Sequence, residues 1–228
     1  MTVRLHTGDP SIYGAIREQM DALDRMGIAY DVCPGVSSFC GAAAALNLEY
    51  TLPEVSQSVI ITRMEGRTKV PEKESIQSFA AHQATMVLFL STGLLEELSG
   101  ELIVGGYKED TPAAIVYKAS WPEEAVYRCT VGTLAATARE KGVARTALIV
   151  VGRVLDTGKD SGYERSSFMR RNLIRCFGMD PGRRGNKMEQ KVYVIGIGPG
   201  AYEEMTIRAV KALKECDVII ATRFMWIL

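Results

Sequence analysis

The stretch Leu5-His6-Thr7-Gly8-Asp9-Pro10-Ser11-Ile12-Tyr13-Gly14 determines the fold class, together with Cys33-Pro34-Gly35-Val36-Ser37-Ser38 further along. Each is a strand-like run that breaks at small, turn-forming residues and then enters a segment with helical spacing. In α/β proteins such units place backbone N–H groups and short polar side chains against a ligand. The sequence therefore predicts a binding site near its start, built from two turns.

Composition restricts the partners. The chain has 228 residues, 47% of them apolar, and 27 basic side chains balance 27 acidic ones, so overall charge gives no support to a nucleic-acid partner. The most apolar runs, 84–90 and 146–151, are too short to span a bilayer, which excludes a membrane partner. The five cysteines form no CxxC pair and there are only two histidines, so we expect no metal site and a cytoplasmic location.

The periodicity predicts an α/β chain with a mixed sheet in its middle. Helical spacing covers 11–26, 39–46, 133–141 and 205–215. Strand-like runs cover 2–6, 30–33, 59–62, 86–90, 113–116, 125–130 and 147–151. The runs 115–117 and 126–128 are joined by a short turn, which predicts an antiparallel hairpin.

The character of the chain changes after residue 155. Residues 156–188 lose periodicity, are rich in arginine and contain Pro-Gly-Arg-Arg-Gly-Asn, which is typical of a linker. Residues 189–228 begin a new unit of strand, Gly-x-Gly-Pro-Gly loop, helix and strand.

Four ordered motifs give the chain a specific family resemblance. They are the two stretches quoted above, Thr51-Leu52-Pro53-Glu54-Val55-Ser56-Gln57, and Thr62-Arg63-Met64-Glu65-Gly66-Arg67-Thr68-Lys69-Val70-Pro71-Glu72. Together they resemble the precorrin-4 or cobalt-precorrin-4 C11-methyltransferases, a branch of the tetrapyrrole methylases, over residues 1–155. The tail from Val194 to Ile219 is similar to the start of a second tetrapyrrole methylase. Its residues Met-Thr-Ile-Arg-Ala resemble the precorrin-3B C17-methyltransferase branch.

The resemblance implies a two-lobe tetrapyrrole methylase fold, with residues 1–33 as the remnant of an incomplete first lobe and 34–155 as the second lobe. It also implies S-adenosylmethionine as methyl donor, S-adenosylhomocysteine as product, a corrin precursor as substrate and a homodimer. The implied cofactor-binding residues are Thr7, Gly8, Asp9, Ile12, Ser37, Ser38, Leu90 and Ala119, with Pro199 added if the tail docks.

Substrate and catalytic residues are hypotheses at this point. Guanidinium groups bind carboxylates bidentately, and a corrin precursor carries many acetate and propionate groups, so Arg63 and Arg67 are candidate anchors, with Lys118 beside them. Asp9 is a candidate catalytic group that steers the substrate or accepts a proton. Each feature also has a simpler interpretation. The basic residues around Arg63 and Arg67 alternate with acidic ones, which is typical of a solvated surface, and Gly-Asp-Pro is typical of an ordinary turn.

Two other functions stay open. Gly196-Ile197-Gly198-Pro199-Gly200-Ala201 satisfies the nicotinamide fingerprint, but no acidic residue ends the following strand and proline removes an N–H from the loop. The second alternative is that the chain is a catalytically incomplete fragment that only dimerises or binds ligand.

Overall fold

A computed structural model describes residues 2–66, 68–89, 91–156, 195–196 and 205–215. The chain divides into two compact units, Met1–Glu164 and Arg165–Leu228. In the second unit the described helix, α6, runs Ile207–Glu215, inside the segment 205–215 for which the sequence predicts a helix. The predicted linker at 156–188 and most of the predicted unit at 189–228 lie outside the described residues.

The first unit is built on a five-stranded mixed sheet. Its strands are β1 Val59–Arg63, β2 Thr85–Phe89, β3 Pro112–Tyr117, β4 Ala125–Thr130 and β5 Ala147–Val151. They lie in the order β1-β2-β5-β3-β4, with β1 and β2 parallel and the other pairs antiparallel. Ile115 faces Tyr127 across the β3–β4 hairpin, which confirms the predicted antiparallel pairing.

The first helix, α1 Ile16–Arg25, has no buried residue. The faces of the sheet are covered by α2 Ser38–Leu46, α3 Ile76–Ala80, α4 Leu95–Val104 and α5 Leu134–Glu140, with 3₁₀ turns at 72–74, 92–94, 131–133 and 153–155. Along β2, Met86 and Leu88 join the core under α3, α4 and α5, whereas Val87 joins the core under α2. Successive side chains of a strand point to opposite faces, so continuously apolar strands indicate a sheet buried on both sides.

The N-terminal segment differs from the sequence-based expectation. Residues 2–6 and 30–33, predicted as strands, are not strands, because they pair with no neighbour in the described part of the chain and an unpaired strand is not stable. The predicted helix 11–26 begins only at Ile16, since residues 10–13 form a turn and Tyr13 and Ala15 adopt positive φ values of 54° and 50°.

Within the described ranges, every helix is too short or too polar to cross a membrane.

Candidate functional site

The candidate site lies where three strands end together. β1 and β2 are parallel, β5 runs against β2, and β3 runs against β5, so β1, β2 and β3 point the same way. Their carboxyl ends therefore lie along one edge of the sheet, which we call the carboxyl edge. The Ser91 hydroxyl ties two of these ends, accepting from the Met64 N–H at 3.1 Å and donating to the Phe89 carbonyl at 2.7 Å. Such edges are the usual ligand sites of α/β sheets.

The two turns found in the sequence touch each other. A Cβ atom on Gly35 would lie 2.1 Å from the Gly8 carbonyl oxygen, so only glycine allows this approach. Gly8 itself has a φ of +70°, which also favours glycine. The Gly35 N–H donates to Asp9 Oδ2 at 2.8 Å and joins the turns across 26 residues of sequence.

Asp9 holds this pair of turns in place. Its Oδ1 accepts from the backbone N–H of Ser11 at 2.8 Å and also from the Ser11 hydroxyl. The Ser11 hydroxyl, followed by the N–H groups of Gly35 and Ser11, lowers the pKa of Asp9 from its usual 3.8. Both carboxylate oxygens of Asp9 therefore accept hydrogen bonds from the two turns.

The start of α2 adjoins the first turn. Ser37 is the N-cap residue and is buried, but its side chain makes no capping hydrogen bond, whereas Ser38 is exposed. A Cβ on Gly8 would lie 3.6 Å from Ser37 Cα and 3.7 Å from Ser38 N. At the next turn of the helix, a Cβ on Gly41 would lie 3.6 Å from the Ala119 Cβ. The structure thus brings Gly8, Asp9, Ser37 and Ser38 together, with Ala119 beside the same helix.

Tyr13 connects the first turn to the carboxyl edge, and sequence reasoning did not select it. Its ring packs on Phe89, with centroids 5.5 Å apart. Ile12 closes the turn before it, donating its N–H to the Asp9 carbonyl at 3.3 Å. Thr7 is exposed and precedes this turn. The signal available in the sequence was an aromatic residue placed between a glycine-containing turn and a helix.

The predicted substrate residues bind parts of their own loops. Arg63 ends β1 and donates three hydrogen bonds to the carbonyls of Met64, Thr68 and Lys69. Lys118 follows β3; its Nζ lies 3.6 Å from Glu123 and over the rings of Tyr117 and Trp121, at 5.3 and 5.4 Å. Both residues are at the carboxyl edge, but Lys118 is turned to its own hairpin.

Three predicted site residues, Leu90, Arg67 and Pro199, lie outside the described residues. Among the residues that the structure describes, no cluster of acidic, histidine and cysteine side chains could hold a metal ion.

The model of the family "Tetrapyrrole (Corrin/Porphyrin) Methylases" matches residues 1–135 and 191–224. The chain is 54% identical to the cobalt-precorrin-4 C(11)-methyltransferase of Methanocaldococcus jannaschii over 154 residues, which cover 68% of this chain and 60% of that protein. It is 43% identical to the precorrin-4 C(11)-methyltransferase of Pseudomonas aeruginosa, over 73% of this chain and 65% of that protein.

A solved structure shows the same fold. The X-ray structure of a cobalamin biosynthetic enzyme, cobalt precorrin-4 methyltransferase, superimposes with a TM-score of 0.67 at 48% identity, covering 68% of this chain and 65% of that one. The chain thus spans about 60 to 65% of the length of the curated relatives that it matches.

Proposed function

Because the chain belongs to the tetrapyrrole (corrin/porphyrin) methylase family, we propose that it serves in S-adenosylmethionine-dependent C-methylation of precorrin-4 or cobalt-precorrin-4 at C11, in cobalamin biosynthesis. The observation that carries the proposal is the contact between the Gly8 and Gly35 turns beside the carboxyl edge. The printed activities of the relatives at 54% and 43% identity support the reaction and the substrate class.

The residues present suit a sulfonium nucleoside. The start of α2 has no side-chain cap, so its first N–H groups are available to an anionic group of a ligand. Gly8, Gly41 and Ala119 carry little or no side chain, which lets a flat nucleoside approach the backbone. The proposed cofactor-binding set remains Thr7, Gly8, Asp9, Ile12, Ser37, Ser38, Leu90 and Ala119, with Pro199 only if the tail docks.

Positioning provides the catalysis in this proposal. When bound, S-adenosylmethionine supplies a methyl group to an electron-rich carbon of the macrocycle as the carbon–sulfur bond breaks, leaving S-adenosylhomocysteine. A near-linear arrangement of three atoms is required, so no nucleophilic side chain is needed. Asp9 keeps the two turns at a fixed separation. Arg63 and Lys118, at the carboxyl edge, face the substrate in this proposal, and Arg67 is a further proposed anchor.

We further propose the segment boundaries 1–33, 34–155, 156–188 and 189–228, a homodimer, and a cytoplasmic location. The separate family match at 191–224 supports a methylase unit that begins in the tail. Exposed thiols at Cys33 and Cys40 favour a reducing compartment.

One observation favours the alternative of a ligand-binding or dimerising protein without turnover. Large apolar side chains are exposed along the N-terminal segment, including Leu5 at 82%, Val3 at 70% and Val36 at 55%. Large apolar side chains left exposed to this extent are available for contact with a partner protein.

Titration calorimetry of the full chain with S-adenosylhomocysteine tests the proposal. Saturable binding with one ligand per chain is expected, and methyl transfer from tritiated S-adenosylmethionine to cobalt-precorrin-4 should follow. Binding without transfer would favour the alternative. Absence of binding by a folded chain, judged by circular dichroism, would refute the proposal, and quenching of NADH fluorescence would point to the nicotinamide interpretation.

A further inference from the structure

The guanidinium of Arg63 has an unused edge at the end of β1. Its Nη1 donates to the carbonyls of Met64 and Thr68, both at 3.1 Å, and its Nη2 donates to that of Lys69 at 3.3 Å. Arginine has five N–H donors in a planar fork, so the Nε–H and one Nη2–H have no hydrogen-bond partner among the residues that the structure describes. Among the described residues, no carboxylate lies within ion-pair distance of Arg63.

The ring of Tyr13 packs on Phe89, which is the β2 residue paired with Arg63 across the two parallel strands. The phenol has a side-chain hydrogen bond with Thr62, and the charges of Arg63 and Glu74 also act on it. Burial raises the pKa of Tyr13 above its usual 10.0, so the group is a neutral hydroxyl at physiological pH. The residue is nevertheless 46% exposed, so a ligand can reach it.

Tyr13 is held in an uncommon conformation. Its φ of 54° is costly for a bulky residue, and such strain persists only where the surroundings impose it. Two contacts hold Tyr13 in this conformation. Its ring packs on Phe89, and the chain turns tightly at Gly14, where a Cβ would lie 2.1 Å from the Pro10 carbonyl oxygen.

We propose that the Nε edge of Arg63 and the hydroxyl of Tyr13 together bind one acetate or propionate carboxylate of the tetrapyrrole. Two parallel N–H donors match the two oxygens of a carboxylate, and the phenol adds a third donor. The inference rests on the proposed function and deepens it, because it assigns a substrate-orienting role to Tyr13. The nearby acidic groups are Glu74 and Glu65, of which Glu65 accepts from the Val70 N–H at 3.4 Å.

The test uses the full chain and uroporphyrin III, an octacarboxylate porphyrin whose fluorescence reports binding. Tyr13→Phe keeps the ring on Phe89 and removes only the hydroxyl. Arg63→Lys keeps the charge but removes the planar fork, including its bonds to the Met64, Thr68 and Lys69 carbonyls, so the double variant described below separates ligand binding from loop support. Each should raise the Kd for uroporphyrin about tenfold, as expected for a hydrogen bond to a charged group, and leave the Kd for S-adenosylhomocysteine unchanged. Arg139→Lys, at an exposed ion pair on α5, is the matched control and should change neither Kd.

The double variant gives the sharper result. If both residues bind one carboxylate, Tyr13→Phe should have less effect in the Arg63→Lys background than in the wild type. A uroporphyrin Kd within twofold of wild type in both single variants would overturn this inference and leave the proposed function intact. A wild-type chain that binds S-adenosylhomocysteine but no porphyrin would overturn this inference, and one that binds neither would overturn both proposals.

Discussion

Replacing Gly35 by alanine should separate the two turns of the candidate site. The new Cβ would lie 2.1 Å from the Gly8 carbonyl oxygen and 3.1 Å from its carbon, whereas ordinary contact begins at 3.4 Å. Both atoms belong to the backbone, so no side chain can rotate away and the turns must move apart by about 1.3 Å, the difference between 3.4 and 2.1 Å. Overpacking of this kind costs roughly 1–3 kcal/mol.

The movement should also lengthen the 2.8 Å bond from the Gly35 N–H to Asp9 beyond hydrogen-bonding distance. Misplacing a binding group by about 1 Å can reduce function about a hundredfold. We therefore expect the Kd for S-adenosylhomocysteine to rise about 10- to 100-fold by titration calorimetry. The midpoint of urea unfolding should change much less, in proportion, than this Kd, because neither turn belongs to the two hydrophobic cores.

Gly100→Ala is the matched control. It lies in α4, where a Cβ would meet nothing within 4 Å, and alanine should stabilise the helix by about 1 kcal/mol without changing the Kd. If Gly35→Ala bound S-adenosylhomocysteine as tightly as the wild type, the contact between the turns would not be the determinant of the site.

Three further predictions concern the core, the turn and the thiols. Leu98→Ala, at a fully buried position of α4, should lower the free energy of unfolding in urea by about 2–5 kcal/mol, whereas Val104→Ala, 72% exposed on the same helix, should change it by less than about 0.5 kcal/mol. The pKa of the Asp9 carboxyl should lie below 3.8 in a ¹³C NMR titration. Because the folded pKa is lowered, the contribution of Asp9 to stability is complete well above pH 3.8 and is lost as the pH falls through the folded pKa. A titration midpoint above 3.8 would contradict the hydrogen bonds from Ser11 and Gly35. Burial raises the pKa of Cys129 to about 11, so only about 0.1% of this thiol is thiolate at pH 8. Iodoacetamide should therefore modify the exposed Cys33 before Cys129, as followed by peptide mass spectrometry. Equal rates of modification at Cys33 and Cys129 would contradict the burial of Cys129.

The sequence was informative about the five-stranded sheet because the signals for its strands are local. β4 and β5 have the predicted bounds, and the β3–β4 hairpin pairs as expected, since a short turn leaves antiparallel pairing as the available geometry. The bounds of α2, predicted as 39–46 and observed as Ser38–Leu46, also follow from local apolar spacing.

The N-terminal segment shows where local signals fail. Residues 2–6 and 30–33 have the composition of strands, but a strand is stable only when paired with a neighbour, and the described residues provide none. In the same way, periodicity does not predict that Arg63 donates to the carbonyls of its own loop, since that depends on how residues 64–69 turn back on β1.

The sequence by itself determined the α/β class, the strands of the mixed sheet and the two glycine turns, because apolar spacing and turn chemistry are properties of neighbouring residues. The tertiary structure alone decided the strand order β1-β2-β5-β3-β4, the contact of Gly8 with Gly35, and the position of Tyr13 on Phe89. Those features join residues far apart in the chain, so they depend on the packing of the whole sheet and its helices.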